Sequence, residues 1–153
     1  DITGYRLNVV DAACGSRFYN FEKTKDGGTT WTEVNGDPFD QNMGVAEGLL
    51  FFTNDFGFAG LTYASEDFSM LYVTKDGGET FERLELPLDT VTELPSEAAE
   101  LGFTIEDYDY HTMPQIVDGK MEIYLQTDAM EQQGIIFQSE DNGVTWEYAG
   151  CKE

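Results

Sequence analysis

The chain has 153 residues, 41% of them hydrophobic and 14% aromatic, which is enough apolar side chain for a packed core of about one domain and too much for a disordered chain. Thirty Asp and Glu against eight Lys and Arg give a formal net charge of −22. A surface of that sign repels phosphate backbones and anionic headgroups, so nucleic-acid and peripheral membrane binding are excluded as expectations. The longest apolar run, Gly48-Leu49-Leu50-Phe51-Phe52, is strand-sized and far short of the ~18 residues of a spanning helix, so no membrane insertion is expected.

In chain order, period-two alternation predicts strands over 4–10 and 18–21, followed by the Gly-rich stretch Thr24-Lys25-Asp26-Gly27-Gly28-Thr29-Thr30-Trp31 and a strand over 31–34. A second set runs over 49–53, 57–63 and 70–73, through Thr74-Lys75-Asp76-Gly77-Gly78-Glu79-Thr80-Phe81, to 81–86. A third runs over 113–117, 120–127 and 134–137, through Ser139-Glu140-Asp141-Asn142-Gly143-Val144-Thr145-Trp146, to 146–149. The pattern [ST]-x-D-[GN]-G-x-T-[WF] thus recurs three times, each time between two alternating runs. That is the signature of repeated hairpins. The units are about 1–36, 47–87 and 112–150, each an antiparallel meander, with an insertion over about 88–111.

Each motif residue has a folding role. The Asp accepts backbone N–H groups in an Asx-type turn, expected two residues on. Gly27 and Gly28, or their counterparts, supply positive φ, the Ser or Thr hydroxyl bonds locally, and the Trp or Phe packs into the next strand.

The motif resembles the Asp-box, or bacterial neuraminidase repeat, of exported repeat proteins and of photosystem-assembly-factor-like proteins. That resemblance implies an all-β fold, a β-propeller or part of one, with about three four-stranded blades and the motif in the third turn of each. Thr24, Asp26, Gly28, Thr30 and Trp31, then Thr74, Asp76, Gly78, Thr80 and Phe81, then Ser139, Asp141, Gly143, Thr145 and Trp146 would be its structural residues. Aligning the units leaves the first without its first strand. Propellers close with roughly four to eight blades, so three arrangements stay open: a piece of a longer propeller, a ring completed by self-association through open edges, or a partial propeller or sandwich folding alone.

Within the insertion, Pro95, Ser96 as N-cap, Glu97 and Gly102 predict a short helix near 96–101. If the chain beyond it is extended, Asp107, Asp109 and His111 share one side, a candidate set for calcium, manganese or zinc; otherwise they are a solvated acidic edge and no cofactor is expected. Cys14 and Cys151 are a candidate disulfide or two free thiols.

The family's sialidase chemistry would need an arginine triad for the substrate carboxylate. This chain has only Arg6, Arg17 and Arg83, so no triad is recognisable and sialidase activity is not expected. Aromatics around one loop (Phe51, Phe52, Phe56, Phe58) and Tyr108 with Tyr110 are either ligand platforms or core. The resemblance makes the chain an extracytoplasmic, secreted or cell-surface binding or scaffold module, its targeting segment outside this sequence and its ligand a glycan or a protein. The alternatives are part of a glycan-active hydrolase with catalytic residues on other blades, and a protein-assembly factor.

Overall fold

The computed structural model describes residues 2–63, 68–128 and 133–152. Among them the strands form three antiparallel sheets, none of them closed. The first sheet is β1 (Gly4–Ala13), β2 (Ser16–Thr24) and β3 (Thr32–Asn35), in that order. The second is β4 (Val45–Phe51), β5 (Gly57–Thr62), β6 (Ser69–Thr74) and β7 (Glu82–Arg83). In the third, β12 (Glu147–Lys152), β11 (Gly134–Ser139) and β10 (Lys120–Gln126) lie side by side, and β10 also pairs with β8 (Tyr110–His111) and β9 (Gln115–Val117). Two compact units result: residues 2–63 with 70–84, and residues 68–69 with 85–152.

The predicted runs and these strands coincide except at their ends. The run at 113–117 shortens to β9, beginning after Met113-Pro114, because proline has no N–H to give a ladder, and β8 at Tyr110–His111 is a strand that no predicted run covered. The run after the second motif shrinks to Glu82–Arg83. The helix forms over Ser96–Leu101, and Gly102 stops it in the left-handed region at φ 84°, where its N–H and that of Phe103 reach back to Ala99 and Ala98. The cap differs from expectation: Pro95 holds the N-cap position without a side-chain bond, and Ser96 is the first helical residue.

Burial follows the alternation. In β5 and β6 every residue is buried, so these two central strands of the second sheet are covered on both faces, while β4 is half-buried and β7 exposed. In the third, Met121, Ile123, Leu125, Ile135 and Phe137 are buried on one face. The first sheet buries Tyr19 and Phe21, and Phe21 lies in an aromatic cluster with Phe51 at 5.6 Å and Phe81 at 5.3 Å between ring centroids. Tyr5 stacks on Phe51 at 3.9 Å. Each such ring removes a large apolar area from water.

Candidate functional site

The three motif turns are built alike. Thr24 Oγ1 donates to Asp26 Oδ1 (2.7 Å) and accepts the N–H of Gly28 (3.0 Å). Thr30 then donates its N–H to Asp26 Oδ1 (2.9 Å) and its hydroxyl to Oδ2 (2.7 Å). Asp76 receives Thr74, the Thr80 N–H and the Thr80 hydroxyl at 2.9, 2.9 and 2.6 Å. Asp141 receives the Ser139 hydroxyl, the Thr145 N–H and the Thr145 hydroxyl at 2.8, 2.8 and 2.6 Å, with the Val144 N–H at 3.1 Å. The carboxylate therefore takes the amide four residues on, not two, because the hydroxyl at the first motif position has already claimed the glycine amide.

These bonds favour the ionised form. Those from Thr30 and Thr24 hold Asp26 at about 2, and those from Thr145 and Ser139 hold Asp141 at about 2. At Asp76 burial pushes upward, but the Thr80 and Thr74 bonds outweigh it and the net shift is downward. The fourth motif position requires positive φ: Gly27 and Gly77 sit at 71° and 76°, and Asn142 takes the same conformation at 60°, as asparagine can. Trp31 and Trp146 return their indole N–H to the carbonyls of Gly28 and Gly143. The polar groups of the motif are spent inside the turn.

The other predicted residues scatter. Residues 105–107 form a 3₁₀ turn rather than an extended run, and Asp107 folds back to accept from the Thr104 N–H (2.7 Å) and hydroxyl (3.0 Å). The side that Asp107, Asp109 and His111 were to share is lost, and among the described residues no three His, Cys, Asp or Glu come together in a metal-holding group. The His111 main chain is held by Ser69, whose Oγ donates to the His111 carbonyl at 2.7 Å. Both cysteines are free thiols. Cys14 lies at φ 51° in the exposed turn between β1 and β2, and the Cys151 thiol donates to the Glu93 carbonyl at 3.2 Å. Of the arginines, Arg6 is paired with Glu22 at 2.6 Å and covers the Trp31 ring at 4.3 Å, while Arg17 bridges Gly44 through its main chain. Among the proposed platforms, Phe58 and Tyr108 are buried, and Phe51, Phe52, Phe56 and Tyr110 are half-buried.

One cleft of the first unit is lined by polar groups, some of them bonded within the fold. Its volume is about 570 Å³, and the groups that matter to its chemistry are Asp37, Asp40, Asn42, Tyr72, Glu82 and Arg83. The loop after β3 makes one wall. Phe39 plugs that loop into the core at 1% exposure, 6.0 Å from Tyr19 and 5.2 Å from Tyr72 between ring centroids. Both Asp37 oxygens accept the Gln41 N–H at 2.9 Å. Asn42 Nδ2 donates to the Phe39 carbonyl (2.8 Å) and to Tyr72 Oη (3.0 Å), and Tyr72 Oη donates to the same carbonyl at 3.2 Å. Asp40 and Gln41 are held at φ 51° and 63°, a cost of roughly 1–3 kcal/mol each for residues with a side chain. The tyrosine pKa is raised, by burial foremost and by Asp40 and Asp37, with the Asn42 bond and Arg83 opposing.

Nothing in the sequence pattern singled out this loop: Asn35-Gly36-Asp37-Pro38 reads as a turn and no more. Phe39 within a polar stretch was the available signal, since an aromatic there has to be buried or exposed for a reason. A second cleft of about 500 Å³ includes Lys23, Lys25 and Asp55. Its Asp76 and Thr30 are consumed by the motif bonds, and Lys23 lies 5.3 Å from the centroid of the Tyr5 ring. The cleft beside Tyr72 is the better candidate.

No protein-family model matches the chain, and no curated protein matches it.

Proposed function

We propose that the chain is a non-enzymatic binding or scaffold module of Asp-box propeller type that works outside the cytoplasm, with a glycan or protein ligand seated in the cleft beside Tyr72. Three sheets, each with a motif turn joining its last two strands, support the propeller part of the reading. The observation that carries the binding part is the division of labour among carboxylates. Asp26, Asp76 and Asp141 are saturated by their own turns, whereas Asp40 and Glu82 stand in a cleft whose wall is fixed by the buried Phe39 and the Asn42–Tyr72 bond. Pre-organised polar groups around a concavity are what ligand sites provide.

The test is a screen of the folded chain against immobilised neutral glycans and peptides, repeated with Asp40→Asn and Asp76→Asn. The reading expects a ligand whose affinity falls about ten-fold or more in Asp40→Asn, while Asp76→Asn melts earlier and binds unchanged. No ligand in the panel, binding indifferent to Asp40, or hydrolysis of a bound glycan would each contradict it.

A further inference from the structure

The chain contains two Asn-Gly pairs, Asn35-Gly36 and Asn142-Gly143. Such a pair carries its own electrophile and nucleophile. The side-chain amide carbon and the next main-chain nitrogen can close a five-membered ring, and glycine has no Cβ to crowd their approach.

The two pairs differ in their surroundings. The Gly143 N–H donates to Ser139 Oγ at 2.7 Å inside the third motif turn, which holds both the nucleophile and its proton. The Gly36 N–H makes no hydrogen bond among the described residues, and Gly36 is exposed. Asn35 Oδ1 meanwhile accepts the Asp37 N–H at 2.8 Å. A donor on that oxygen polarises the amide carbon and meets the negative charge that builds there during attack.

The same side chain ties two segments together. Asn35 Nδ2 donates to the Glu79 carbonyl at 3.1 Å, joining the loop after β3 to the second motif turn. Both residues line the cleft beside Tyr72. An aspartate at position 35 would offer that carbonyl an acceptor in place of a donor.

We infer that Asn35 is a site of spontaneous deamidation, and that its conversion releases the loop of the cleft from the second motif turn. Solvent hydroxide removes the Gly36 N–H proton, and the nitrogen bonds to Asn35 Cγ. The Cγ–Nδ2 bond then breaks and ammonia leaves, taking a proton from water. Water opens the resulting succinimide at either carbonyl, giving aspartate or isoaspartate. The chemistry needs no ligand; only its consequence for binding rests on the reading of the cleft as a site.

Ageing of the folded chain in mildly alkaline buffer tests this, beside an aliquot kept in denaturant. Peptide mapping with fragment-ion localisation follows aspartate and isoaspartate at both pairs. In the folded chain Asn35 should convert about ten-fold or more faster than Asn142, the worth of one hydrogen bond on the nucleophile. In denaturant the two rates should come together. Gly36→Ala probes the ring closure directly. Position 36 lies outside the left-handed region, and a Cβ there meets only Glu33, with Oε1 at 3.5 Å. That variant should therefore melt with the parent and lose most of the conversion. Asn35→Asp, one of the products made directly, should melt below the parent.

Conversion at Asn142 as fast as at Asn35 in the folded chain, no conversion at Asn35, or an unchanged rate in Gly36→Ala overturns the chemistry. An Asn35→Asp variant that melts with the parent overturns the release of the loop. All of these outcomes are read without a ligand, so the binding-module reading stands or falls by its own screen.

Discussion

Thr30 donates twice to Asp26, its amide to Oδ1 at 2.9 Å and its hydroxyl to Oδ2 at 2.7 Å. Thr80 repeats this on Asp76 and Thr145 on Asp141, within 0.1 Å at each bond. The fourth and fifth motif positions are glycines or an asparagine, so the chain can turn tightly enough for both donors to reach one carboxylate. The motif is a clamp between its third and seventh residues.

Removing one clamp should therefore cost stability without touching the cleft. Asp76→Ala takes away the acceptor for three hydrogen bonds. The turn is exposed and water replaces part of what is lost, so we expect a destabilisation of about 1–2 kcal/mol, read from chemical denaturation at neutral pH. A midpoint equal to that of the parent would remove the structural account of the motif.

The glycine of the fifth motif position is constrained more severely. Gly78 sits at φ 93°, and a Cβ there would overlap the Phe21 ring, coming within 2.8 Å of its Cζ and closer still to Cε1. Gly102 has a similar φ, 84°, with nothing within 4 Å of its Cβ position. Gly78→Ala should cost about 2–4 kcal/mol, strain and overpacking together, and Gly102→Ala about 1 kcal/mol from strain alone. Equal melting temperatures for the two variants would show that the close contact with Phe21 does not exist.

Phe39 connects the cleft to the core. It is buried from a loop that carries Asp37 and Asp40, so Phe39→Ala should destabilise by about 3–5 kcal/mol. Even under conditions where the variant remains folded, it should bind cleft ligands more weakly, because the carbonyl that accepts from Tyr72 and Asn42 loses its anchor. A variant that unfolds at the parent's midpoint would place Phe39 outside the core.

The repeat made the strands and turns legible because its alternation and its glycines are local signals. The interior chemistry of each sheet was not legible, because the same register positions carry opposite side chains. Six and four residues before the motif Asp stand Met70 and Tyr72 in the second unit and Ile135 and Phe137 in the third, all buried. The first unit places Asn20 and Glu22 there, across from Asn8 and Arg6, and joins them through Arg6–Glu22 and a 2.6 Å bond from Asn20 to Glu33. In the third sheet the matching cross-strand positions are Leu125 and Ile123. Alternation marks which side chains share a face; it does not say what covers that face. The supposed ligand run at 107–111 failed for a related reason. Its alternating acidic and tyrosine residues look extended, but the capping box of Thr104 and Asp107 wins locally and coils residues 105–107. The cleft went unread because it is assembled by residues from 37 to 83, brought together only by packing.

The claim beneath all of this is that the motif carboxylates hold the turns in their ionised form. Their folded-state pKa lies below the ordinary aspartate value of 3.8, so ionisation favours the fold. The contribution is complete above the unfolded pKa, near 4, and disappears as pH falls through about 2. The most direct measurement is an NMR titration of the Asp26 and Asp141 carboxyl carbons from pH 6 downward, followed with the amide protons of Thr30 and Thr145. We predict carboxyl midpoints at about 2, or displaced cooperatively by unfolding before they are reached, with each threonine amide moving at the same pH as its aspartate. Midpoints near 4 in a chain that remains folded, with the two amides unmoved, would contradict the clamp.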